Sequence, residues 1–406
     1  MAFDRDAPVG DGGSDLDVDV AVVGAGGAGL SLLHQLALRG PRDVTVALVD
    51  PVDRLATRPD DRTWCFWDEG RSDADAALHR EWRRVVVVGA DHRRRVLDLD
   101  PMRYAMLRSG DYYALVAAAS ADLDVVHVAE PAEAVDDGDR AATVTTARHR
   151  ITARWVYDSR PAAPLRRGAT ALLQHFRGLV VHAEADTFDP DLPVLMDFTT
   201  PQPPHGLSFG YCLPSDPRRA LVEYTEFSPD VLDDAGYARA LETYVPHLLG
   251  GDRPFDVEHV EQGVIAMTDA VFARRAGRRV FRLGTAGGAT RPSTGYTFTA
   301  MQRQASYVAS ALARGDDDPE PPRPYPRRHA WADAVVLRGL ADGSIDGPAF
   351  FARLFDRNPP QRVLRFLDGT SGAASELALM ATAPRGTMLR AAALDAAGRA
   401  RRRLVT

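Results

Sequence analysis

The sequence predicts an α/β fold: a Rossmann-like nucleotide-binding domain, an interleaved antiparallel β-sheet domain, and a helical C-terminal region. Three observations predict it. Asp17–Asp50 reads as strand, glycine turn, helix, strand. A second glycine-rich strand-to-helix turn follows at Val280–Gly288. Between the two, Val194–Phe227 carries strands joined by turns, with no helical crossover.

The first unit opens with the β-branched run Asp17–Val23, apolar enough to be buried on both faces. Gly24, Gly26 and Gly29 then occupy a G-x-G-x-x-G pattern, with Gly27 inside it. One glycine makes the tight turn, one lets backbone N–H groups approach a pyrophosphate, and one lets helix and strand pack closely. The helix through Leu30–Leu38 presents its N-terminus to the phosphates. Asp50 closes the strand Val44–Val49 about 20 residues after the glycines, where an acid bonds ribose hydroxyls. An acid there favours FAD or NAD over NADP, and this stretch leaves those two open. The second turn, with Gly284, Gly287 and Gly288 followed by Pro292 and Gly295, favours FAD. Such a turn approaches the ribityl chain and isoalloxazine ring, and a simple NAD domain lacks it.

At 406 residues the chain is too long for one simple core. Its 45% hydrophobic and 26% charged content is that of a globular protein. All 49 basic residues are Arg, which reads as codon bias in a GC-rich genome. A net charge of −7 argues against nucleic acid as a partner. The two cysteines, Cys65 and Cys212, suit a reducing compartment and give neither a disulfide framework nor a cysteine-built metal site; no metal is expected. There is no transmembrane run, and the first 16 residues lack the features of a signal peptide. The expectation is a cytoplasmic protein whose membrane contact, if any, is peripheral.

Along the chain, Pro51–Asp61 is irregular and leads to Arg62–Trp67, where Trp64, Phe66 and Trp67 pack three aromatics into four residues. They read either as core packing for a loop or as an aromatic wall of a ligand cavity. Strands are expected at Val85–Val88 and Val96–Leu99, and a helix from Tyr112 to about Ser120 capped by Ser109-Gly110-Asp111. Further strands are expected at Val125–Val128, Ala142–Thr146, Ile151–Tyr157, Leu179–Val181 and Val194–Thr200. Leu207–Leu213 and Leu221–Phe227 form a hairpin across Ser215–Arg218, and helices follow at Ala235–Leu248 and Phe298–Arg314. The resulting division is a loose acidic tail (1–16), a nucleotide-binding domain in two pieces (17–165 and 261–315), a substrate domain (166–260), a linker (316–326) and the helical region (327–406). Arg390, Arg399, Arg401, Arg402 and Arg403 near the C-terminus read as a solvated tail or as a helix on anionic lipid.

In Leu221–Phe227, strand alternation places Glu223 on one face and Glu226 on the other. Whichever glutamate points inward would be enclosed by apolar side chains, with its pKa raised, and ready to act as a general acid. The pattern itself leaves the two open.

Several segments together are similar to the lycopene cyclase family, of the bacterial and plant β-cyclase kind. They are Arg62–Trp67, Met196–Phe198, Phe209–Pro214, Val222–Thr225, Glu261–Ile265, Gly284–Gly288 and Arg291–Tyr296, and the similarity runs from about Asp19 to at least Tyr307. Two departures are visible: Ile265-Ala266-Met267 where the family has Ile-Pro-Met, and Glu223-Tyr224 where plant members have two glutamates. The resemblance assigns the catalytic acid to Glu223. It implies closure of β-ionone rings on an apolar linear carotene (lycopene to γ- or β-carotene) with no net redox change, by an isomerase that needs reduced FAD, with NADPH as the indirect reductant. A carbocation in such a reaction needs π-faces, for which Trp64, Phe66, Trp67, Phe209, Tyr211 and Tyr296 are the candidates. A substrate this apolar implies peripheral docking at the inner face of the membrane, on lipid. Two other readings stay open: an FAD-dependent oxidoreductase acting on a prenyl lipid or aromatic substrate, and a non-enzymatic binding module on a dinucleotide fold.

Overall fold

The computed structural model describes residues 15–161 and 170–382. In chain order its elements are β1 (Asp15–Val23), α1 (Gly27–Arg39), β2 (Thr45–Val49), α2 (Arg54–Thr57), β3 (Thr63–Asp68), β4 (Leu78–Trp82), β5 (Arg84–Val88), β6 (Arg94–Asp98), β7 (Arg103–Arg108) and α3 (Ser109–Ala119). Next come β8 (Asp124–Val128), β9 (Ala134–Asp136), β10 (Ala142–Thr145), β11 (Arg150–Asp158), β12 (Ala171–Ala183), β13 (Val194–Asp197), β14 (Leu207–Pro214), β15 (Arg219–Ser228), α4 (Asp234–Leu249) and β16 (Phe255–Thr268). The chain continues with β17 (Val280–Arg282), α5 (Phe298–Ala313), α6 (Arg327–Ala341), α7 (Gly347–Arg357), α8 (Pro360–Leu367) and α9 (Ala373–Thr382).

The strands form three sheets. The first has the order β8-β2-β1-β11-β10-β9, with β17 also on β11. β8, β2, β1, β11 and β17 run parallel, and β10 and β9 are antiparallel. From Val20 to Val23 β1 is buried on both sides, as its composition predicts, while Asp17 and Asp19 stay exposed. Val20 and Val22 pack with Leu30, Leu33, Met301 and Val308 of α1 and α5, while Ala21 and Val23 pack with Val49 and Val156.

The second sheet has the order β16-β12-β15-β14-β13-β5-β6. One face, with Leu221, Phe227, Phe209 and Tyr211, lies under α6, α7 and α8; the other, with Val222 and Tyr224, lies under α4. The third sheet, β3-β7-β4, stands between the two main cores. Its Trp67, Tyr104 and Met106 face the second sheet, and its Phe66, Ala105 and Leu107 face the core of the first.

Several expectations need correction. Arg62–Trp67, read as core packing for a loop or as a cavity wall, belongs mostly to a strand, Thr63–Asp68, paired with β7. The strand expected at Leu179–Val181 begins eight residues earlier, at Ala171, because β12 is paired on both sides and its polar residues find partners. Arg177 Nε, for instance, donates to Gln262 Oε1 at 2.8 Å. The strand from Val194 stops at Asp197, whose carboxylate takes the Thr199 N–H at 3.0 Å and turns the chain. Ser109 does not cap α3 but begins it. Its Oγ donates to Pro59 O and accepts from the Asp61 and Arg62 N–H groups, tying the irregular segment to the helix.

The boundary expected after 260 falls inside β16, and β5 and β6 join the second sheet from the first segment of the chain. The stretch 316–326 is packed rather than a free linker: Pro319 O accepts from Tyr157 Oη at 3.0 Å, and Glu320 pairs with Arg274 at 2.8 Å. Of the expected acidic tail, Asp15 and Leu16 already pair with β11; residues 1–14 and the basic C-terminal segment lie outside the described residues.

Candidate active site

The glycine turn joins β1 to α1 as predicted. Gly26 occupies the N-cap position without any side-chain hydrogen bond, and the first turn of α1 has no acidic residue, so its N–H groups stay available to an anion. A methyl group at Gly26 would meet nothing within 4 Å, whereas one at Gly29 would lie 1.8 Å from Gly24 O. Gly26 thus marks open space and Gly29 marks close packing. Gly27 sits against Met301 and Trp64. Asp50, at the end of β2, accepts from Ala25 N at 2.8 Å and from Val52 N at 2.9 Å, which holds its carboxylate beside the turn.

The second turn does not continue β17. Gly284–Gly287 is a single 3-10 turn, followed by Gly288 in the left-handed region. At Gly284 φ is +59°, and a methyl group would lie 2.5 Å from Ala28 Cβ. The two glycine turns therefore touch. Pro292 and Gly295 lie in the loop before α5, with Gly295 against Gln174 of β12. Gln174 Oε1 is buried without a hydrogen-bond partner among the described residues. Open space at Gly26, free helix donors, a placed carboxylate and an unpartnered amide oxygen by the second turn are what a flavin dinucleotide needs.

Glu223 lies on the face of β15 that looks toward the third sheet and α7. It retains some accessible surface, and its Oε1 accepts from Thr225 Oγ1 at 2.6 Å. Desolvation, with the Glu261 carboxyl nearby, pushes its pKa up to about 8 despite that hydrogen bond. Tyr211 is its cross-strand neighbour, and the Tyr211, Tyr296 and Cys65 side chains lie close enough to feel its charge. Burial raises the pKa of all three, so they face Glu223 as neutral groups.

Glu226 lies on the opposite face. It accepts from Tyr224 Oη at 2.8 Å and approaches His175 Nε2 at 3.7 Å; His175 is itself held by Tyr237 Oη and Ser228 Oγ at 2.8 Å each. That is a closed polar network under α4.

The aromatic candidates divide in the same way. Trp67 packs edge-on to Tyr296 with centroids 4.4 Å apart, and Phe209 packs on Tyr211 at 5.3 Å. Trp64 and Phe66 point the other way, stacking on Phe298 of α5 at 5.9 and 4.8 Å. Strand alternation in β3 thus removes two of the three from Glu223's side. Tyr211 and Tyr296 also line a crevice with Met196, Leu207, Phe209, Phe227, Thr294 and Phe351. Its volume is about 10 Å³, room for a single water, so a ligand enters only by spreading its walls. A larger hollow of about 720 Å³ is walled by charged groups such as Arg71, Arg80, Glu81 and Arg103, and none of the residues considered above lines it.

Sequence reasoning missed two contributors on this side: Gly178 of β12, which pairs with Glu223, and Glu261 of β16, which pairs with Gly178 from the other side. A buried carboxylate on a strand was the available signal for Glu261, but its neighbours come from strands far away in sequence. A buried ion pair also escaped notice. Arg291 Nε donates to Asp333 Oδ1 at 3.0 Å, and Ser293 Oγ donates to the same oxygen at 2.6 Å. The Arg291–Tyr296 loop is thereby clamped to α6.

A mainly parallel first sheet, paired glycine turns and a second sheet antiparallel except where β13 meets β5 define the Rossmann-like FAD-binding fold. Solved structures of that fold cover the chain almost end to end. A geranylgeranyl bacteriochlorophyll reductase-like protein from Thermoplasma acidophilum has 14% identity and a TM-score of 0.62, over 93% of this chain and 99% of that one. A flavin-dependent brominase gives 13% and 0.60 over 90% and 98%, and a flavoprotein/dehydrogenase from Cytophaga hutchinsonii gives 11% and 0.60 over 94% and 100%. The chain belongs to the lycopene cyclase family, whose profile, described as lycopene cyclase protein, matches residues 19–393. A comparison with curated proteins returns no match.

Proposed function

We propose that the protein is an FAD-dependent lycopene β-cyclase, closing β-ionone rings on the ends of a linear carotene without net oxidation or reduction. The observation that carries this reading is Glu223. It is a carboxyl group with a raised pKa, flanked by two neutral tyrosines that also wall an apolar crevice. The Gly24–Gly29 turn and the start of α1 would hold the pyrophosphate, Asp50 the ribose, and the Gly284–Gly295 segment with Gln174 the flavin end. Reduced FAD, when bound, supplies negative charge beside the reacting chain, and NADPH is the proposed distant source of its electrons.

Protonated Glu223 gives its hydrogen to the terminal C=C bond, forming a C–H bond and leaving a tertiary cation. The neighbouring double bond attacks that cation and closes the ring. The Glu223 carboxylate left by the first step then takes back a proton from the ring carbon next to the new cation, and that C–H electron pair becomes the ring double bond. Phe209, Tyr211, Tyr296 and Phe351 exclude water and present π-faces while the charge exists.

Anaerobic incubation with lycopene and reduced FAD should give cyclic carotenes. Glu223→Gln should keep its yellow flavin and lose about 100- to 10,000-fold in turnover, the range for one general acid. Glu226→Gln should be milder in turnover. Normal cyclisation by Glu223→Gln removes Glu223 as the acid. Stoichiometric NAD(P)H consumption would favour the oxidoreductase reading, and a purified protein free of flavin would favour a binding module.

A further inference from the structure

β12 places one residue, Gly178, opposite two glutamates at once. Its partner on β15 is Glu223 and its partner on β16 is Glu261. A methyl group at Gly178 would lie 3.1 Å from Glu261 Cγ, 3.5 Å from Glu223 Oε2 and 2.9 Å from Leu221 Cδ1. The missing side chain therefore lets the two acids lean toward each other over the central strand. Glu261 is 6% exposed, and its Oε2 accepts from Thr63 Oγ1 of β3 at 2.8 Å. Next to it, Arg62 reaches the surface and donates to Gln262 O at 3.2 Å.

We propose that Glu261 is a positioning residue for the cyclisation, the second carboxyl of a pair that shares one proton with Glu223 across Gly178 and returns that proton after each ring closure. The inference rests on the cyclase reading for its chemistry, and on geometry alone for the pair. Before reaction the two carboxyls hold one proton, on Glu223. Donation to the polyene leaves two carboxylates. Loss of the ring proton restores one proton to the pair, so the books balance and the substrate is only isomerised. Thr63 donates to Glu261 as Thr225 does to Glu223, so the asymmetry lies in Arg62 and His259, which favour the ionised form of Glu261 and leave the proton on Glu223. The charge on Glu261 also disfavours a second charge beside it. Cys65 of β3, Tyr211 of β14 and Tyr296 also face Glu223, while Arg62, Asp60 and His259 surround Glu261. Burial raises the pKa of Glu261 and Asp60 adds to it, while the Thr63 hydrogen bond, His259 and Arg62 oppose the shift.

The test uses the full-length, flavin-loaded protein and two readouts, the infrared band of protonated carboxyls and the pH profile of cyclisation. In the wild type the band should titrate in two well-separated steps, the upper one absent from Glu223→Gln. Glu261→Gln should lower the upper midpoint, and the alkaline limb of the rate with it, by about one pH unit or more. Gly178→Ala, which wedges the carboxyls apart, should move both the same way if Glu261→Gln fails to fold. Glu258→Gln, exposed on the same strand and paired with Arg219, should move neither. A single step in the wild type, or an unshifted midpoint in folded Glu261→Gln, overturns the pair. Two steps in a protein that never cyclises lycopene would instead keep the pair and remove the cyclase reading.

Discussion

At the scale of single residues, the two glutamates of β15 show why burial alone does not identify an acid. Glu226 is the more buried of them, at 6% exposure, but Tyr224 and the His175 network surround it. Glu223 is desolvated and has a like-charged neighbour, with one hydroxyl donor to oppose them, so its neutral form is favoured. Its activity as an acid should therefore hold below about pH 8 and fall as pH rises through that value. Stability follows the same sign. A carboxyl whose folded pKa is raised stabilises the fold fully below its unfolded pKa, near 4.3 for glutamate, and that contribution is lost as pH rises through the folded value. Urea unfolding at stepped pH should show a flatter curve between those limits for Glu223→Gln than for the wild type.

At the scale of elements, what the sequence made readable was local: the β1-turn-α1 unit, the hairpin over Ser215–Arg218, and the opposite facing of Glu223 and Glu226. Pairings across long stretches of chain were not readable. β16 joins β12 some eighty residues after it, and β5 and β6 cross into the second sheet, because register there is set by packing in the folded protein rather than by any neighbouring residue. The aromatic segment shows the same limit. Trp64, Phe66 and Trp67 stood out by density, but only the pairing of β3 with β7 reveals that they face different cores. Phe66→Ala should accordingly destabilise by about 3–5 kcal/mol in urea denaturation, the usual loss for a buried Phe. The crevice residues stay in place, so flavin-loaded protein that remains folded should still cyclise.

At the scale of the whole molecule, the C-terminal helices complete the site. α7 supplies Phe351 to the crevice, α8 accepts the Trp67 indole N–H at Leu364 O at 2.9 Å, and α6 holds the Arg291 loop through Asp333. Arg291 and Asp333 are 0% and 1% exposed. Asp333→Ala would strand a buried guanidinium and should cost about 3–5 kcal/mol, read from the urea midpoint, with flavin retention falling as the loop loosens. Among the described residues no helix is long and apolar enough to cross a membrane. The tightness of the crevice carries one more consequence. On the proposed chemistry, a tertiary cation survives to ring closure only if no oxygen nucleophile reaches it first. Phe351→Ala would open a berth for solvent beside the reacting terminus, and pigment extracts from that variant should contain hydroxylated carotenoids, tertiary alcohols trapped on the way to the ring.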